Sequence, residues 1–269
     1  HAPNLLAAAT VTGAISESFD TSANLEVFSV DLKTDEPPLV GRAVVDERFH
    51  ALSWGTKGID DGSHPYGILA GASVDGTVKI YDPARLLEHN SGEALIAAVD
   101  SHTGPVRAVE FNPAVPELLA SGASDNEVDI TDLTNPQAPR VVSPGAKSAG
   151  PSADISSVSW NRKVSHILAS TSHGGLSVVW DLKLKKPVIN FTNANNRSQR
   201  NSVIEWNPEQ ATQIMVASED DVSPLLQIWD LRNAFAPVQE LRGHDKGILT
   251  ATWCPNDASM LLSSGKDNR

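Results

Sequence analysis

Cysteine is almost absent from this sequence: Cys254 is the only one in 269 residues. A lone thiol makes no internal disulfide, and a secreted chain of this size more often carries several, so the composition points to a reducing compartment and a cytosolic protein. No stretch reaches the roughly 18 to 20 uninterrupted apolar residues of a membrane-spanning helix, and the opening residues lack a basic region followed by an apolar one. Positive charge is scarce as well. The 21 Lys and Arg face 33 Asp and Glu, a formal net charge of −12, which opposes attraction to phosphate backbones and anionic headgroups and argues against nucleic-acid or bare-membrane partners.

The patterns that carry catalysis are missing too. The eight histidines form no His-Glu-x-x-His pair and no Cys/His cluster with zinc spacing. Cys254 lies beside Trp253 without a nucleophile signature and reads as a buried, inert thiol. Asp60-Asp61 and Glu219-Asp220-Asp221 read as exposed loop acids. The run PGAKS at 144–148 lacks the Gly-Lys-Ser/Thr ending, second glycine and following helix of a phosphate loop. The glycosylation patterns at Asn190 and Asn196 matter only in a secretory lumen, which the cysteine argument excludes. No catalytic, cofactor or metal site follows, and the chain reads as a non-enzyme.

A repeat is what the sequence does contain. A β-forming run ending in Asp occurs at 77–82 (TVKIYD), 128–132 (VDITD), 176–181 (LSVVWD) and 225–230 (LLQIWD), with the final Asp residues 50, 49 and 49 positions apart. Each is preceded by a run leading to Trp or Phe, at 51–54, 106–112, 155–161 and 203–207, with a fifth at 248–253. Asn112-Pro113, Asn207-Pro208 and Cys254-Pro255 then stop the strand, because proline offers no amide to a ladder. Short apolar runs follow at 68–71, 118–122, 167–170, 214–218 and 260–265. Three strands and a linker able to host a fourth describe the antiparallel blade of an all-β propeller of the WD40 type. The period exceeds the usual ~40 to 45 residues, and the loops 55–67, 134–151 and 190–200 account for the excess. Blades are predicted at about 5–32, 48–83, 101–133, 153–182, 199–231 and 243–269, making five and a partial sixth. The one short helix predicted is at 83–89.

WD repeats tie a loop His, a Ser or Thr, a turn Asp and a strand Trp together by hydrogen bonds. Here His102 and His244 occupy the loop position, Asp75, Asp125 and Asp267 the turn position, and Trp180 and Trp229 the strand position, with Asp181 and Asp230 ending their strands. Gly174 and Ser223 stand at other turn positions, and Tyr81 and Thr131 at other Trp positions, which predicts blades of unequal stability. A rigid disc of this kind, without catalytic groups, is suited to holding other proteins.

Further motifs carry a family resemblance: the insert at 13–28 (GAISESFDTSANLEVF), then HTGPVRA at 102–108, PGAK at 144–147, Trp160-Asn161-Arg162, ASEDD at 217–221, WDLR at 229–232 and LSSGKD at 262–267. In that order they resemble the N-terminal WD40 propeller of the large outer-cage subunit of the COPII vesicle coat, the Sec thirty-one family, over essentially the whole chain. The resemblance implies a structural scaffold at cage vertices in transport from endoplasmic reticulum to Golgi, on the cytosolic face of endoplasmic reticulum exit sites and vesicles. The implied partners are the second propeller subunit of the outer coat, inner coat proteins and further copies of itself. It also implies seven blades in the intact domain, so these 269 residues alone are expected to be longer at both ends in the whole protein and poorly behaved in isolation. The rival reading is a WD40 adaptor that recruits substrates to another complex, such as a ubiquitin ligase.

Overall fold

A computed structural model of the chain describes residues 4–11, 23–31, 33, 36–88, 91–145, 153–193 and 199–269. Six antiparallel sheets follow one another along it, each built from strands adjacent in sequence. The first holds β1 (Leu5–Val11), β2 (Ala23–Ser29) and β3 (Leu39–Val45). The second holds β4 (Phe49–Gly55), β5 (Ile68–Ser73), β6 (Thr77–Tyr81) and β7 (Leu95–Asp100). The third has β8 (Val106–Phe111), β9 (Leu118–Ala123), β10 (Val128–Asp132) and β11 (Arg140–Val142). The fourth has β12 (Ile155–Trp160), β13 (Ile167–Ser172), β14 (Ser177–Asp181) and β15 (Lys186–Phe191). The fifth has β16 (Asn201–Trp206), β17 (Gln213–Ser218), β18 (Leu226–Asp230) and β19 (Gln239–Leu241), and the sixth β20 (Ile248–Cys254) with β21 (Asp257–Gly265). The helix predicted at 83–89 is present as α1 (Pro83–Leu87), with proline at its start and Asp82 accepting the Ala84 amide as its cap.

This is a propeller, and its core is divided among the interfaces between sheets. Five apolar clusters each draw on two successive sheets. Between the third and fourth sheets, for example, Ala120 and Ile130 pack with Trp160, Leu168 and Trp180. Strands buried on both faces are therefore built from apolar and small residues: β5 (ILAGAS) shows no exposed position. Each fully buried Leu, Ile or Trp contributes roughly 1.5 to 3 kcal/mol by leaving water.

Two features go beyond the sequence reading. The fourth strand that each linker was able to host is realised in β3, β7, β11, β15 and β19, beyond the predicted blade limits of 32, 83, 133, 182 and 231. β11 and β19 are only three residues long, and all three residues of β11 are exposed, so it carries no apolar alternation to detect. The loops assigned to 134–151 and 190–200 thus contain β11 and the end of β15. The second is a fifth strand-ending Asp. Asp31, 51 positions before Asp82, accepts the amide of Lys33 at 3.0 Å, as Asp82, Asp132, Asp181 and Asp230 accept the amides of Ala84, Thr134, Lys183 and Arg232. This Asp follows the third strand of the later sheets but the second of the first, so β1 to β3 correspond to second, third and fourth strands.

Candidate functional site

The locks expected within blades form unevenly. In the third sheet the His102 ring lies 3.2 Å from Asp125 through Nδ1 and 2.9 Å from the Ser121 hydroxyl through Nε2. The sixth sheet repeats this with His244, Asp267 and Ser263, at 3.0 and 2.9 Å. The Asp267 carboxyl is held down at about 2, first by the Asp245 amide and then by His244. In the fourth sheet the Trp180 indole donates to the Ser170 hydroxyl at 2.9 Å.

The remaining predicted residues are not brought into such a set. Asp75 accepts the amide and hydroxyl of Thr77 within its own turn. Asp181 accepts the amides of Lys183 and Leu184. Asp230 pairs with Arg232, whose guanidinium and amide hold its carboxyl at about 2. Trp229 is buried with no hydrogen-bond partner for its indole nitrogen among the described residues. The cause is local: Trp180 pairs across the ladder with Leu168, two residues before Ser170, whereas Trp229 pairs with Ile214, two residues before Val216. In the second sheet Gly71 takes that place, and Phe49 packs against it and edge-on to Tyr81 at 6.1 Å. Burial pushes the Tyr81 hydroxyl up to about 12.

Thr131 replaces Trp in the third sheet, and the space beside His102 is taken by Asp129, whose carboxylate oxygen lies 3.8 Å from the ring. Desolvation raises the Asp129 pKa. Asp60 and Asp61 are exposed as expected, whereas Glu219 is half-buried and pairs with Arg200 at 2.7 Å, and among the described residues no group of His, Cys, Asp and Glu could hold a metal ion. Cys254 ends β20, half-buried, and is not disulfide-bonded. PGAK and PGAKS extend beyond Gly145, the pattern at Asn196 falls within 194–198, and most of the 13–28 insert precedes Ala23; these parts lie outside the described residues.

What the sequence reading missed is a regular stitching between blades. The residue before each first-strand aromatic accepts the amide of the next blade's aromatic: Ser53 from Phe111, Glu110 from Trp160, Ser159 from Trp206 and Glu205 from Trp253, at 2.6 to 3.3 Å. The residue after the aromatic does a second job. Asn112, Asn161 and Asn207 each accept two amides of their own turn. Their side-chain amides donate forward to the carbonyls of Ser165, Ala211 and Ala258 in the next sheet. Asn is suited to this because one side chain offers both an acceptor and donors. Arg162 adds charge, 2.9 Å from Glu110 and 3.8 Å from Glu205. Burial nevertheless raises the Glu110 pKa to about 7.

Sheets joined face to face, His-Ser-Asp sets and strand-ending Asp residues together define a WD40-type propeller whose polar interior is structural. The family model for the WD domain, G-beta repeat, matches residues 235–269. The chain is 42% identical to protein transport protein SEC31 of Dictyostelium discoideum over 99% of its own length and 20% of that protein. It is 46% identical to the SEC31 homolog B of Arabidopsis thaliana over 98% of its length and 24% of that protein. A solved structure of the COPII outer coat vertex on membranes is 33% identical over 97% of this chain and 67% of that one, with a TM-score of 0.81. A chain of the mitotic checkpoint complex, 18% identical with a TM-score of 0.69, shares the fold. The chain belongs to the Sec31 family and matches its WD40 region, spanning about a fifth to a quarter of the curated relatives.

Proposed function

We propose that this propeller is a structural scaffold of the COPII outer coat, making protein contacts at cage vertices during transport from endoplasmic reticulum to Golgi. The observation that carries this is the match to the outer coat vertex over 97% of the chain at a TM-score of 0.81. Its partners in this reading are the second propeller subunit, inner coat proteins and further copies of itself, on the cytosolic face of exit sites and vesicles. It works by shape and rigidity and performs no chemistry. The absence of any long apolar helix among the described residues fits attachment through protein, as does the net charge of −12.

In the same reading the His102 and His244 sets hold loop to strand within their blades, and the Ser, Glu and Asn stitches hold blade to blade. The test is to capture the full-length protein from cytosol and identify what accompanies it by mass spectrometry. Recovery of the second propeller subunit with inner coat proteins supports the scaffold role. Recovery of ligase components in their place supports the adaptor reading and overturns this one.

A further inference from the structure

The outer rim between the third and fourth blades carries a cleft of about 190 Å3, lined by Leu118, Ile130, Val142, Pro144 and Leu182, with Asp132, Ser143 and Lys185 as its polar members. Its walls are mostly apolar. Lys185 brings a cation to it; Lys183 and Lys186 lie exposed close to Lys185 in the chain, Lys186 as the first residue of β15, and Arg140 is exposed at the start of β11, where it lines a neighbouring pocket that shares Asp132. No ion pair engages any of these four cations among the described residues. Two carboxylates stand nearby: Asp132 accepts the amide and hydroxyl of Thr134 and feels the charge of Arg140, and Asp181 accepts two turn amides.

The turn is firmly built. Besides the two bonds to Asp181, Lys185 holds a left-handed conformation at φ 52°, which costs a side-chain-bearing residue more than glycine. The backbone at Gly145 passes so close that a Cβ there would meet Lys186 Cα at 2.8 Å and the Lys185 carbonyl oxygen at 2.9 Å. The basic turn is thereby fixed against the third blade. Val142 and Leu184 remain 50% and 58% exposed beside it.

We propose that this cleft receives an extended acidic segment of a protein partner, with one apolar side chain entering between Leu118, Ile130 and Leu182 and flanking carboxylates meeting the three lysines and Arg140. The cavity has room for a single Leu or Phe side chain. The chain's overall negative charge does not prevent this, because charges beyond about 8 Å are largely screened at physiological salt while the local cations are not. The proposal rests on the reading of the molecule as a protein-binding scaffold and names the chemistry of one partner.

The test is fluorescence anisotropy with the full-length protein and a labelled short peptide of Asp and Glu around a central Leu-Phe pair. Binding is expected to weaken with added salt, to weaken when Ser replaces the Leu-Phe pair, and to fall about tenfold or more in the variant Lys183→Glu/Lys185→Glu/Lys186→Glu. A second variant, Lys185→Gly, suits the positive φ and removes one charge, so a smaller loss is expected with the melting temperature kept. No peptide binding, equal binding to the charge-reversed variant, or salt-dependent capture of phosphatidylserine vesicles in place of the peptide would each overturn the proposal. Capture of coat subunits from cytosol reads the scaffold role separately: if it succeeds while the peptide result fails, only the cleft assignment falls.

Discussion

The interfaces between blades and the interiors of blades obey different rules in this molecule. From the second blade onward, each of four interfaces repeats one device, a Ser or Glu accepting the amide of the next aromatic, and three of them add the Asn clamp. Within blades the polar set varies: complete apart from Trp in the third, reduced to Trp180 and Ser170 in the fourth, and replaced in the second by Phe49 and Tyr81 packed about Gly71. A blade's interior can exchange hydrogen bonds for apolar packing without moving its strands. The four interfaces from the second blade onward keep their hydrogen bonds, because they join backbones about 50 residues apart that share no ladder. Only side chains reaching a neighbour's amides and carbonyls can satisfy them there.

The largest effect expected is at an interface. Trp160→Ala removes a fully buried side chain and the indole's bond to the Glu110 carbonyl, at a cost of about 3 to 5 kcal/mol in chemical denaturation of the full-length protein. Asn161→Ala leaves two turn amides and the Ala211 carbonyl without their partner and should cost about 2 to 3 kcal/mol. If that loss were smaller than the loss from a blade-interior change, the comparison would fail.

His102→Ala should cost about 1 to 2 kcal/mol, because Asp125 still accepts the Thr103 and Glu127 amides. The smallest effect sharpens the contrast. Val216→Thr places a hydroxyl where Ser170 sits in the fourth blade and gives the Trp229 indole an acceptor, so it should change stability by less than about 1 kcal/mol. A hydroxyl buried here without a partner would cost more.

The interface between the third and fourth blades should also respond to pH. Glu110 carries a folded-state pKa of about 7, raised by burial, above its unfolded value near 4.3. The folded chain therefore binds this proton more tightly. Its contribution to stability is fully present below about pH 4.3 and is lost as pH rises through 7. Glu110→Gln should flatten that part of the pH dependence in thermal melts, and an unchanged slope between pH 5 and 8 would remove Glu110 from the account. The side chain keeps a fifth of its surface open, so the effect is smaller than for a fully enclosed carboxylate.

Much of the fold was legible because β-forming runs ending in Asp recur at a near-constant interval, and that Asp does a local job within its own turn. Asp31 was harder to see because Phe28 stands three residues before it, where Trp180 and Trp229 directly precede theirs. His102 and His244 could be placed because their partners lie 23 residues on, within one repeat. The Asn clamps were illegible for the opposite reason. Their acceptors are backbone carbonyls some 50 residues away, and a carbonyl leaves no mark on sequence. Asn112-Pro113 and Asn207-Pro208 announced a turn, which is half of what those asparagines do. The cleft was equally hidden, since Leu118 and Ile130 of the third blade meet Leu182 and Lys185 of the fourth only when the two blades pack.

The most direct test of the scaffold role is sedimentation of the full-length protein with vesicles, with and without the inner coat proteins bound to them. The account predicts that it sediments only when inner coat proteins cover the vesicle surface. Sedimentation with bare vesicles, or failure to join vesicles already coated by the inner layer, would contradict it.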